Sequence, residues 1–116
     1  MTLLAFRQPR IKDEAHCEFI RSLSCIACGD NTSTECAHIR AGDPRILKRQ
    51  AGMAEKSDDV FTLPLCGKHH RMQHDMNEQK FWMWVGIDPF LVALALFVAR
   101  IQGDREKAEQ ILQARA

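Results

Sequence analysis

Residues 65–74, LCGKHHRMQH, put one cysteine and three of the chain's five histidines into ten positions. With the CIAC of residues 25–28 they form two matched pairs, Cys25-x-x-Cys28 and Cys66-x-x-His69. Structural zinc takes four Cys or His ligands in a tetrahedron, commonly as two close pairs, because one tight turn aims two side chains at a single point with little strain. Cys25, Cys28, Cys66 and His69 are therefore the expected ligands of a structural Zn²⁺. The rival reading is four ordinary buried residues, since cysteine is among the most buried residue types. One C-x-x-C is common and two matched pairs are not, which favours the metal.

His70 and His74 remain. Residues four apart on a helix share a face with Cβ atoms roughly 5–6 Å apart, so both imidazoles can reach one divalent cation in a second, more open site. The bland use of His74 is as a solvent-facing helix residue in a polar segment. His38, in TECAHIR, sits between the two pairs on an expected strand, and a hairpin packed on the helix would aim it toward His70. A neutral histidine beside a metal-bound phosphate can take a proton from water so that hydroxide attacks phosphorus, while the cation stabilises the charge on the phosphate and leaving oxygens. Taken alone, such a histidine is more often a packed or surface residue.

The elements that must position these groups can be read along the chain. Asp13 caps an expected helix in which Ala15, Phe19, Ile20 and Leu23 recur at helical spacing and Cys17 joins the buried side. A zinc-knuckle turn follows at 25–31, then a short strand through Thr34, Cys36 and Ile39. Residues 41–58, with Gly42, Pro44 and Gly52, read as a long loop containing one helical turn around RILKRQ. DVFTLPLC alternates as a second strand ending at Cys66, with Pro64 at an edge or end. Helices are expected from Lys68 to Asp75 and through NEQKFWMWV, the latter stopped by Gly86 with Phe81, Trp82, Trp84 and Val85 available for the core. Asp88 and Pro89 start an apolar helix to Ile101, and Asp104 caps a last one.

At 116 residues, 46% hydrophobic and 27% charged, the chain fits one α+β domain, with a zinc-stapled core over about 13–86 and a helical cap over about 87–116. A staple suits a chain this short, which buries a smaller share of its surface than a large domain. Sixteen Lys and Arg against fifteen Asp and Glu create no global positive field, so a nucleic-acid partner must be met by a local patch. Arg40, Arg45, Lys48, Arg49 and Lys56 cluster around the long loop beside His38, where phosphate contacts would add affinity without sequence choice. The alternative is a solvated loop diluted by Asp43 and Glu55. The apolar run at the N-terminus is too short for a signal-peptide core, and Phe90–Ala99 is about half of the ~20 residues a bilayer span needs. Five cysteines, an odd number without an export signal, point to a reducing compartment, with cytoplasm the default.

The order CIAC, AHIR, KSDD, LPLCGKHH and His74, followed by FWMWVGIDP, resembles the HNH nuclease superfamily with its ββα-metal fold. It is most similar to the small phage and prophage HNH proteins related to the recombination-enhancement nuclease, over roughly residues 10–90. The resemblance implies a metal-dependent endonuclease acting on DNA, with His38 as general base and His70, with His74, on a catalytic Mg²⁺, Mn²⁺, Ni²⁺ or Zn²⁺. It also implies structural zinc on Cys25, Cys28, Cys66 and His69. Two positions depart from the pattern. Ala37 stands where many HNH proteins carry an Asp or His ligand, and the middle Asn has no counterpart, Asp58 and Asp59 being the nearest polar residues, with Asp59 favoured. Either Asp could instead cap a turn. Arg40 is the basic residue expected nearest the scissile phosphate. Ala37 favours the alternative of a zinc-stabilised nucleic-acid-binding module that does not cut. A third reading is an interaction domain in which the apolar C-terminal helices pack on a partner or join a homodimer.

Overall fold

The computed structural model describes residues 9–52 and 55–114. Residues 1–8, which hold the apolar N-terminal run, and 53–54 of the long loop lie outside the described residues. The first helix, α1 (Glu14–Arg21), starts where Asp13 accepts a hydrogen bond from the His16 backbone N–H at 3.0 Å, satisfying a donor that has no intrahelical partner. Its buried face is His16, Cys17 and Ile20, and Ala15 points outward. The expected face is thus rotated. A polar residue can be buried there because His16 Nδ1 accepts from Arg100 Nε at 3.0 Å, while Arg100 Nη2 pairs with Asp13 at 2.7 Å.

Two strands, β1 (Thr34–His38) and β2 (Thr62–Cys66), pair antiparallel with Glu35 opposite Leu65, Ala37 opposite Leu63 and His38 opposite Thr62. β2 begins at Thr62, later than its apolar alternation suggests, because Asp58–Phe61 closes a turn: Phe61 N–H donates to Asp58 C=O at 3.0 Å. Pro64 lies mid-strand. Both strands of a two-stranded sheet are edges, so its missing N–H removes no central ladder bond, and its carbonyl accepts from Ile26 N–H at 3.0 Å.

In the long connection the helical turn is a 3-10 turn at Pro44–Ile46, shorter and earlier than RILKRQ implies. Asp43 caps it and Leu47, at φ 53°, ends it in the left-handed region. Helix α2 (Gly67–Asp75) follows β2 with no linker, and α3 (Glu78–Val85) is capped by Asn77 and stopped by Gly86 at φ 89°, a conformation glycine adopts without a Cβ clash. Helix α4 (Pro89–Ile101) starts at Asp88, whose carboxylate accepts from the Phe90 and Leu91 N–H groups, and α5 (Arg105–Gln113) starts at Asp104.

Among the described residues, a mixed α+β arrangement of five α-helices and one small sheet encloses one apolar cluster. Ile20, Leu63, Leu65 and Phe81 are fully enclosed at its centre, and Ala93, Leu96, Ala108 and Leu112 of the C-terminal helices belong to the same cluster. Trp84, expected inside, is 55% exposed. Leu91, Leu94, Val98 and Ile101 form an exposed apolar strip along α4. Among the described residues, no single helix is long and apolar enough to cross a membrane.

Burial, reinforced by the Arg100 charge, pulls the His16 pKa from 6.5 down to about 4. The unfolded chain therefore binds a proton below pH 6.5 that the folded chain refuses until about pH 4, so this residue's contribution to stability is lost as pH falls through that window. Denaturant titrations across it should show stability falling, with a shallower fall in His16→Leu.

Candidate metal centre and histidine clusters

The turn after α1 and the junction of β2 with α2 meet at one point. Cys25 Sγ lies 3.9 Å from His69 Nδ1, Cys28 Sγ 3.9 Å from Cys66 Sγ, and Cys66 Sγ 3.2 Å from His69 Nδ1. All four ligand atoms fall within 4.8 Å of one another. Bond lengths of about 2.3 Å for Zn–S and 2.0–2.1 Å for Zn–N place tetrahedral ligand atoms roughly 3.3–3.8 Å apart, so the cluster is close to the size of a zinc shell. It could hold a metal ion such as zinc.

Local backbone explains the convergence. Gly29 N–H donates to Cys25 C=O at 2.7 Å and Cys25 N–H to Asp30 C=O at 2.8 Å, with Gly29 at φ 81°. Cys66 is the N-cap of α2. Burial works to raise its thiol pKa, but hydrogen bonds from the His69 and Lys68 N–H groups and from the neighbouring thiols bring it below the ordinary value. Cys28 is pushed up to about 11, by desolvation and, against a backbone hydrogen bond at Asp30, by the Cys25 and Cys66 sulfurs. Crowded thiols cannot all ionise without a cation among them. The Trp84 ring packs at a tilt beside His69, their centroids 5.7 Å apart.

His38 belongs to a different cluster. Its Nε2 lies 2.8 Å from Asp59 Oδ1, which also accepts from Arg10 Nη1 at 2.5 Å, while Asp59 Oδ2 accepts from the Asp13 N–H at 2.7 Å. Burial works to raise the Asp59 pKa, but bonds to His38 and Asp13 and the Arg10 charge outweigh it and hold it at about 2. An ionised carboxylate only accepts, so the proton between the two residues sits on His38 Nε2 and Nδ1 carries the lone pair. Desolvation lowers the His38 pKa despite Asp59, keeping the ring neutral at neutral pH. Cys17 Sγ is within 4.8 Å of this pair. The three residues could also hold a metal ion; without one, burial drives that thiol strongly upward and both Asp59 oxygens are hydrogen-bonded.

His70 and His74 lie together on the outer side of α2, with Nε2 atoms 3.3 Å apart, and His70 Nδ1 is 2.6 Å from Glu35 Oε1. Two nitrogens on one cation with bonds of about 2.0–2.1 Å stand roughly 3.0–3.4 Å apart, so this pair has the spacing of adjacent ligands. Strand alternation places Glu35 and His38 on opposite faces of β1. The hairpin therefore does not aim His38 toward His70; each ring has its own partners. Asp58, the other acid considered, accepts from the Ile11 N–H at 2.8 Å and holds the N-terminal segment.

The basic cluster is largely committed to the protein itself. Arg45 pairs with Asp43 at 2.5 Å and Asp88 at 3.1 Å, Arg49 pairs with Glu55, and Lys48 Nζ donates to Ala41 C=O at 2.7 Å. Arg40 Nη2 donates to Gly52 C=O at 3.0 Å, and Lys56 is exposed. These contacts brace the loop and leave less free positive surface than the composition of the loop suggests. Arg10 and Glu35 were not legible as site residues. Arg10 meets Asp59 from 49 positions away, whereas Glu35 has a local signal, two residues before Ala37 and so on the same strand face.

Comparison with known proteins adds a family but no activity. A family described as a protein of unknown function, DUF968, matches residues 3–99. The uncharacterized protein YdfU of Escherichia coli (strain K12) is 35% identical over 63 residues, which are 53% of this chain and 16% of YdfU. No solved structure matches.

If the four-ligand cluster is a structural zinc centre, purified protein should carry one zinc per chain by elemental analysis. Cys25→Ala should lose it together with cooperative unfolding. Full zinc content in that variant would reject the ligand set.

Proposed function

We propose that this chain, which belongs to the DUF968 family of proteins of unknown function, is a metal-dependent DNA endonuclease of the HNH type with a zinc-stapled ββα core. The observation that carries the reading is the His38–Asp59 pair at 2.8 Å, a neutral imidazole with a free Nδ1 backed by an ionised carboxylate. His38 Nδ1 accepts a proton from water, the hydroxide attacks phosphorus, the phosphodiester P–O bond breaks, and the leaving oxygen is protonated from solvent. The resulting imidazolium is stabilised by Asp59, which also orients the ring. Arg10 keeps Asp59 ionised and in place at 2.5 Å.

His70 and His74 are the residues that would hold the divalent cation, on the geometry of their facing Nε2 atoms. When bound, that cation supplies Lewis-acid stabilisation of the charge on the phosphate and leaving oxygens. His38 and Glu35, the partner of His70, stand on opposite faces of β1, so the scissile phosphate would reach from one to the other around the end of the strand where Arg40 follows His38. Lys56 and Arg40 supply the phosphate contacts; Arg45, Lys48 and Arg49 act by holding the loop.

Nicking of supercoiled plasmid, with Mg²⁺, Mn²⁺, Ni²⁺ or no added metal, tests the reading. Wild-type protein should nick with added metal, and His38→Ala should lose about 100- to 10,000-fold in rate while keeping zinc and DNA affinity. DNA binding without nicking by the wild type would replace the nuclease reading with a zinc-stabilised binding module.

A further inference from the structure

Resting on that reading of His70 and His74, we infer that Glu35 is the positioning residue of the cation site, acting through His70 from the strand face it shares with Ala37. Ala37 is fully enclosed and carries no ligand atom. Glu35 lies two residues earlier in β1 and therefore on the same face, the face that meets α2. Its Oε1 is 2.6 Å from His70 Nδ1. A carboxylate at that distance takes the Nδ1 proton as a hydrogen-bond acceptor, which fixes the His70 tautomer and leaves the Nε2 lone pair facing His74 Nε2 at 3.3 Å. Free neutral imidazole has no such bias imposed on it.

A second observation points the same way. A Cβ built at Gly67, the first residue of α2, would come within 3.3 Å of Glu35 Oε2 and 3.4 Å of Arg71 Nη1. Both are the far ends of flexible side chains, so the contact locates the carboxylate against the first turn of α2 without requiring a glycine there. The plain alternative is that Glu35 is one of the charges that edge strands carry to block pairing with other chains. Such a charge would not govern which His70 nitrogen holds the proton.

The test uses zinc-loaded full-length protein, titrated with Ni²⁺ in a calorimeter, and the His70 tautomer read by ¹⁵N NMR before Ni²⁺ is added. Wild type should show His70 protonated at Nδ1 and one Ni²⁺ site that His70→Ala removes. Glu35→Ala should bind Ni²⁺ about 10- to 100-fold more weakly, move the His70 proton toward Nε2, and keep its zinc. Glu35→Gln, which retains an acceptor oxygen, should fall between them, and it serves as the decisive variant if Glu35→Ala loses the fold. Ni²⁺ affinity within twofold of wild type, or an unchanged tautomer, in Glu35→Ala would overturn this inference alone. Absence of any Ni²⁺ site in the wild type would overturn it together with the nuclease reading.

Discussion

Cys25, Cys28, Cys66 and His69 bring four atoms able to hold a metal ion within 4.8 Å of one another, and that convergence ties the turn after α1 to the junction of β2 with α2. Cys28 and Cys66 are 38 positions apart, so closing this point fixes the turn after α1 against the end of β2. The hydrogen bond from Ile26 N–H to Pro64 C=O continues the same junction into the backbone. A chain of this length has limited apolar surface to bury, and a metal ion held by these four residues would tie together elements of a two-stranded sheet that could not persist alone.

The same constraint sorts the histidines. Because α2 starts immediately after Cys66, placing Cys66 and His69 in the Cys/His cluster sets the helix phase: His69 and Gln73 are buried, while His70 and His74 come to the outside. Gln73 uses its inward position to donate to the His38 carbonyl and to Glu78, both at 2.9 Å, tying β1 to α2 and α3. Glu78 also accepts from the Arg40 and Ala41 N–H groups and from Trp82 Nε1. One buried amide and one carboxylate thus secure the end of β1 from which His38 projects.

On the other face, the His38–Asp59 pair depends on the N-terminal segment. Asp59 is bonded by Arg10 and by the Asp13 backbone, and Asp13 in turn caps α1 and pairs with Arg100. The proposed base is therefore oriented by a chain of charge-assisted bonds that runs from α4 through α1 to the turn before β2. Such bonds gain strength away from water, which suits a carboxylate that is only 7% exposed at its side chain.

Much of this was determined by the sequence alone because its cause is local. Asp13, Asp88 and Asp104 announce helix starts by their side-chain chemistry, Gly86 announces a stop, and the spacing of Cys25, Cys28, Cys66 and His69 announces convergence. Tertiary structure decided what depends on partners distant in the chain. Ala15 yielded the buried face of α1 to His16 because Arg100, 84 positions away, supplies a hydrogen bond. Trp84 moved outward against His69, and Arg45 and Arg49 were absorbed by Asp43, Asp88 and Glu55. The separation of His38 from His70 likewise follows from which strand face packs on which helix. Local spacing can specify that residues share a turn or a helix face; only the packed fold specifies which charges find each other across it.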